Sequence, residues 1–141
     1  MNLQDILNQK GNKVFSIQAS ATIADVVQEL VANNCGSLMV KDGEKIVGII
    51  TERDVLRACA DADKPLSGIP VETRMTREVV TAHPRAPISE VMGLLTRRRI
   101  RHLPVFENGT MLGMVSIGDV VKAQHNSLTM ENHYLKEYLM G

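Results

Sequence analysis

The chain carries one short pattern twice. Residues 48–54 read GIITERD and residues 113–119 read GMVSIGD, each running from a glycine through apolar residues to a hydroxyl, with a carboxylate three positions later. An apolar pair follows each copy, Val55-Leu56 and Val120-Val121. This is how a strand reads when it hands over to a helix with the polar pair at the junction. The offset between the copies is 65 residues, and it extends well beyond the motif. Ala21, Ile23, Val26, Leu30, Leu38, Val40, Gly48, Asp54 and Val55 fall without a gap on Ala86, Ile88, Val91, Leu95, Leu103, Val105, Gly113, Asp119 and Val120. The chain is therefore two similar units in one polypeptide. A unit this small exposes much of its core, so packing the two together is the expected solution.

At 141 residues the chain fits one globule made of two halves. Its formal net charge of zero offers no global field for nucleic acid or an anionic membrane. Aromatic residues make up 3% with no Trp, which argues against a single-strand nucleic-acid platform of stacked rings. The first residues lack the basic and then apolar run of a secretory signal, and no apolar stretch is long enough to span a membrane. A cytoplasmic location is the expectation. Cys35 and Cys59 lie outside any CxxC arrangement and read as reduced thiols. His125 and His133 flank Glu131 without metal-ligand spacing. Neither a nucleophile with its base nor a glycine-rich phosphate loop is evident, so the expectation is no enzyme, no catalytic residue and no metal.

Leu3, Ile6 and Leu7 share one face of a short helix ended by Gly11-Asn12, a brace over residues 1–13. The first repeat, 14–60, reads as a strand from Val14 to Ile17, a helix capped by Thr22, two strands around an Asp42-Gly43 turn, and a helix starting at Thr51. Residues 61–78 are a linker, with Asp61 to Pro70 as a surface loop. The second repeat, 79–123, has a strand from Val79 to Ala82, a helix with Pro87 as its first residue, and a second hairpin. Its Asn108-Gly109 turn sits one residue later than the first turn plus 65, so the two should differ in shape. A C-terminal helix over 124–141 carries Leu135, Tyr138 and Leu139 as an apolar stripe for the body, a second copy or another protein.

Thr51-x-x-Asp54 and Ser116-x-x-Asp119 have an immediate structural reading as capping boxes. Three features add a functional one. Gly48 and Gly113 leave room for a ligand or a backbone at the strand. A hydroxyl, a carboxylate and free helix N–H groups together suit a sugar diol beside a phosphate. The repeat also implies two such places. Arg97, Arg98 and Arg99 read as a solvated helix end, whereas Arg101 and His102 enter the strand at the depth of Gly36 and Ser37, where a guanidinium beside an imidazole can clamp a phosphate.

These residues resemble a tandem pair of CBS domains, a Bateman module, and the chain is similar to stand-alone bacterial CBS-pair proteins. The likeness rests on two strand-helix-strand-strand-helix units, each closing with the Gly-h-h-Thr/Ser-x-x-Asp signature, and on Ile100-Arg-His-Leu-Pro-Val105. Val14-Phe-Ser-Ile17 and Met75-Thr76 are similar too. The resemblance implies an α+β fold of two β-α-β-β-α repeats packed through their sheets about a pseudo-twofold axis. It implies adenosine-containing ligands, AMP, ADP or ATP ahead of S-adenosylmethionine or NAD, with no obligatory cofactor. One site would combine Thr51 and Asp54 with Thr81, Ala82, Arg101 and His102. The other would combine Ser116 and Asp119 with Ser16, Ile17, Gly36 and Ser37. Cations await phosphate only at the first, so the Asp119 site should be the weaker. Ile117-Gly118 in place of Glu52-Arg53 also removes charge there. A regulatory, energy-sensing role, a homodimer and a regulated protein partner are the further expectations. The rival is a scaffold for oligomerisation or docking that binds no ligand.

Overall fold

The computed structural model describes residues 1–61 and 63–140, the side chains of Glu131, Tyr134 and Met140 excepted. The order is α1 (Leu3–Lys10), β1 (Ser16–Gln18), α2 (Ile23–Asn33), β2 (Ser37–Asp42), β3 (Lys45–Thr51), α3 (Glu52–Asp61), α4 (Ile88–Arg98), β4 (His102–Glu107), β5 (Thr110–Ser116) and α5 (Ile117–Met140). It is an α+β architecture of two repeats. The chain divides into two compact units, one of Val14–Val79 and one of Met1–Lys13 with Val80–Gly141.

In the unit Val14–Val79, β1 runs parallel to β2 and β2 antiparallel to β3. The apolar stripe of α2 and the inward residues of the strands form its core, with Ile23, Val26, Leu30, Leu38, Val40, Ile50 and Ala58 buried. The other unit repeats this at the same offset, burying Ile88, Val91, Leu95, Leu103, Val105, Val115, Val120 and Ala123. Register repeats as well. Ser37 faces Thr51 as His102 faces Ser116, and both hairpins slip between equivalent residues, Val40/Lys41 and Val105/Phe106.

Each core is completed by the segment that precedes the other repeat. Leu3, Ile6 and Leu7 of α1 are buried with the second repeat, while Ile69 and Val71 are buried with the first. The expected surface loop from Asp61 to Pro70 is thus only partly one. One turn of 3-10 helix, Leu66–Gly68, lies within it and a second, Val71–Thr73, follows it directly. The apolar Ile69 and Val71 dock there because backbone bonds fix them, Ile23 N–H to Ile69 O at 2.9 Å and Val71 N–H to Ala21 O at 2.9 Å.

Two local expectations change. The strand from Val79 to Ala82 shrinks to a single parallel bridge between Ala82 and Val105. In the first repeat Met39 N–H bonds Phe15 O at 3.0 Å. Its counterpart 65 residues on is Pro104, which has no N–H to give. Asp42 belongs to β2, opposite Lys45, so the first turn is Gly43-Glu44 and coincides with Asn108-Gly109 at the 65-residue offset. The shapes do differ. Asn108 and Gly109 both take positive φ, 51° and 77°, the type I′ pattern, whereas in the first turn Gly43 does so, at 63°, and Glu44 does not.

α5 continues unbroken for 24 residues. Leu135, Tyr138 and Leu139 are exposed on it, so the stripe is not spent on the body of the protein.

Candidate functional site

Two strand-to-helix junctions hold the candidate residues. At the first, β3 ends on Thr51 and α3 begins, and Asp54 turns back so that its Oδ2 accepts both the Thr51 N–H at 2.9 Å and the Thr51 hydroxyl at 3.3 Å. Gly36 O accepts the Glu52 N–H at 3.1 Å, which draws the start of β2 onto the helix end. Ser37 is buried opposite Thr51. Ser16 and Ile17 lie on the next strand, opposite Met39 and Val40.

At the second junction Asp119 Oδ2 accepts the Ser116 N–H at 2.8 Å, and Asp119 N–H donates to Ser116 Oγ at 3.2 Å. Arg101 O accepts the Ile117 N–H at 2.8 Å, the counterpart of the Gly36 bond. His102 faces Ser116 across the hairpin. Thr81, which is exposed, and Ala82 lie on the adjoining segment, where Ala82 bridges to Val105. Each unit therefore holds six of the expected residues: Ser16, Ile17, Gly36, Ser37, Thr51 and Asp54 in one, and Thr81, Ala82, Arg101, His102, Ser116 and Asp119 in the other. Arg97, Arg98 and Arg99 are exposed, as a solvated helix end should be.

The structural reading is realised in full at Ser116, where both halves of the box form, and in half at Thr51, where Asp54 accepts the Thr51 N–H but the Thr51 hydroxyl donates to Asp54 instead of accepting its N–H. The full box also caps α1 through Asn2 and Asp5 and α2 through Thr22 and Asp25. What separates the four is burial. Asp5 and Asp25 are exposed, Asp54 is buried and Asp119 is half-buried. A capping acid has no need to be sunk below the surface. A carboxylate has about four acceptor positions, so the cap at Asp54 leaves capacity to accept sugar hydroxyls.

The glycines have a different explanation from a ligand. A Cβ on Gly48 would lie 2.7 Å from Thr76 O and 2.8 Å from Met75 Sδ. One on Gly113 would lie 2.7 Å from Leu7 Cδ2. The segments that complete each core press directly on these strands, with a backbone carbonyl against Gly48 and the end of a side chain against Gly113.

One residue of the second junction was missed in the sequence. Lys10, the last residue of α1, places Nζ 2.7 Å from Asp119 Oδ2 and 3.0 Å from Met114 O. A lysine at a helix C-terminus reads as a solvated side chain favoured by the helix dipole, so nothing local marks it. The 65-residue offset could have found it, because it aligns Lys10 with Met75, in the segment that presses on Gly48. Burial pushes the Asp119 carboxyl up, but the Lys10 and Ser116 hydrogen bonds and the Lys10 charge outweigh it and hold its pKa below the ordinary value.

Other candidates are quieter. Cys35 and Cys59 are free thiols, and burial pushes the Cys35 thiol up, away from reactivity. Among the described residues no cluster of three or more His, Cys, Asp or Glu could hold a metal, and the Glu131 side chain lies outside them. Among the described residues no helix is long and apolar enough to cross a membrane.

Comparison with known proteins gives the same picture. The CBS domain family matches residues 4–61 and 67–126. A mitochondrial CBS domain-containing protein of Arabidopsis thaliana is 35% identical, over 99% of this chain and 72% of its own. The crystal structure of a CBS-domain containing protein from Agrobacterium tumefaciens superposes with a TM-score of 0.84 at 34% identity, covering 88% of this chain and 99% of that one. A CBS domain protein from Pyrobaculum aerophilum, complexed with AMP, superposes with a TM-score of 0.73 at 26% identity, covering 84% and 89%. With two matched repeats, two equivalent cores and two capped strand-to-helix junctions, the chain belongs to the CBS-domain family as a tandem pair.

Proposed function

We propose that this protein is an adenine-nucleotide-binding regulatory module, taking AMP, ADP or ATP and changing its fit to a partner protein or to its own second copy. It performs no chemistry of its own. The observation that carries this reading is the burial of Asp54 at the start of α3, against the exposed acids of the capping boxes at Asn2 and Thr22. The AMP held by the Pyrobaculum relative supports the ligand class. In the proposed roles Asp54 accepts the ribose hydroxyls, Thr51 lies by the ribose or phosphate, and Arg101 and His102 serve the phosphate. Ser116 and Asp119 repeat the ribose-binding role at a second, weaker position.

The test is thermal melting with and without AMP, ADP, ATP and S-adenosylmethionine. Ligand at 100 times its dissociation constant should add about 2.7 kcal/mol. Asp54→Ala should abolish that shift, and Arg101→Ala should weaken it most for ATP. If no adenosine ligand moves the melt, the reading fails.

A second reading, a docking scaffold, is favoured by one observation: Leu128, Leu135, Tyr138 and Leu139 are all exposed on α5. Light scattering that gives a nucleotide-independent dimer, lost in Leu135→Glu, would favour it. A dimer that tightens or loosens with nucleotide fits the sensor instead.

A further inference from the structure

The two repeats meet the same problem at the outer strand of their hairpin and solve it differently. In the first repeat Thr76 pairs with Ile49 through two backbone bonds, Thr76 N–H to Ile49 O at 2.9 Å and Ile49 N–H to Thr76 O at 3.0 Å. The counterpart of Ile49 is Met114, and its carbonyl is met by the Lys10 ammonium, at 3.0 Å. A backbone N–H has one proton, spent on that bond. An ammonium has three, and Lys10 sets another on Asp119 Oδ2 at 2.7 Å.

Covering the strand edge therefore has a side effect in one repeat alone. The carboxylate of Asp119 is engaged by a cation from its own chain. The residue aligned with Lys10 is Met75, whose thioether has no proton to give. Asp119 Oδ2 already accepts the Ser116 N–H, so Lys10 takes a further share of the oxygen the cap uses. Lys10 is held there by more than charge: the buried Leu3, Ile6 and Leu7 anchor α1 against the second repeat.

We infer that Lys10 sets the ligand preference of the Asp119 position: an ammonium, where Asp54 among the described residues has only its own threonine, stands on the carboxylate and offsets its charge, so a ribose diol that binds Asp119 competes with Lys10 for it. This rests on the reading of Asp54 and Asp119 as ribose acceptors. It gives the inequality of the two positions a cause in α1, separate from the missing charge at Ile117-Gly118. The competition is modest, because a partly exposed ion pair is weak. Half-exposure of the Lys10 side chain, at 38%, lets it swing clear without unpacking α1.

The experiment is calorimetric titration of AMP into the full chain, its Lys10→Met variant, which installs the residue of the first repeat, and a Lys10→Met/Asp119→Asn double variant. Lys10→Gln serves as a second form should Met disturb α1, and melts confirm folding. Lys10→Met should leave the tighter binding unchanged and strengthen the weaker one about two- to fivefold. The double variant should lose that gain. AMP binding by the wild type with no change in Lys10→Met or Lys10→Gln would overturn the assignment of Lys10 while leaving nucleotide binding intact. A gain that survives Asp119→Asn would overturn it too. Absence of AMP binding in every form would bring down the nucleotide reading, and this inference with it.

Discussion

The Asp54 and Asp119 junctions start from one plan and end in different electrostatic states. Both cap a helix with an acid three residues past a hydroxyl, and both sit at the end of a strand pressed on by a distant segment. At Gly48 that segment offers backbone and a thioether. At Gly113 it offers the methyls of Leu7, and from the same helix the ammonium of Lys10 reaches Asp119. A repeat thus conserves the fold of a site more strictly than its charge, because charge comes from whichever segment completes the core.

The largest test of that contrast is steric. Gly48→Ala drives a Cβ against a backbone carbonyl that cannot step aside, and should cost about 2–3 kcal/mol in urea unfolding. Gly113→Ala meets only the end of Leu7 and should cost about 1 kcal/mol. Equal losses would mean that the two covering segments are equally rigid. Next is the carboxylate. Asp119→Ala removes the bond to the Ser116 N–H and the Lys10 pair, a loss of about 1–2 kcal/mol at neutral pH.

The pH dependence of that loss has a definite sign. Because the folded pKa of Asp119 lies below its unfolded value, its contribution is fully present above the unfolded pKa. The gap between wild type and Asp119→Ala should close as pH falls through the folded pKa, and a gap that widens in acid would contradict the lysine pairing. Smaller still is Gly118→Ala. Its Cβ would meet Ser116 Oγ at 3.6 Å, an ordinary contact, so removing glycine from the first turn of α5 should stabilise by about 0.5–1 kcal/mol. Least of all, high salt should weaken the Lys10–Asp119 pair by a few tenths of a kcal/mol, and leave Lys10→Met unaffected.

Much of this was legible in the residues. The stripe Ile23, Val26, Leu30 names the buried face of α2 because helical spacing is a local property, and the same holds for Leu3, Ile6 and Leu7. The caps at Thr51 and Ser116 follow from a three-residue span. Elsewhere the local signal misled. Pro104 removed a pairing bond from a strand it does not belong to, and proline-flanked Ile69 and Val71 looked like loop yet fill a core. In both cases the deciding partner lies far along the chain.

The amino-acid order alone settled that there are two repeats, which residues turn inward, and where each hydroxyl and acid meet, since all of these depend on spacing within a few turns of chain. Only the three-dimensional path decided that residues 1–13 complete the second repeat and that Ile69 and Val71 complete the first. From that crossing comes the contact between Lys10 and Asp119, 109 residues apart. Periodicity specifies that a face is apolar and must be covered. It carries no address for what covers it, and the charge of a site built at that cover is therefore fixed by tertiary packing.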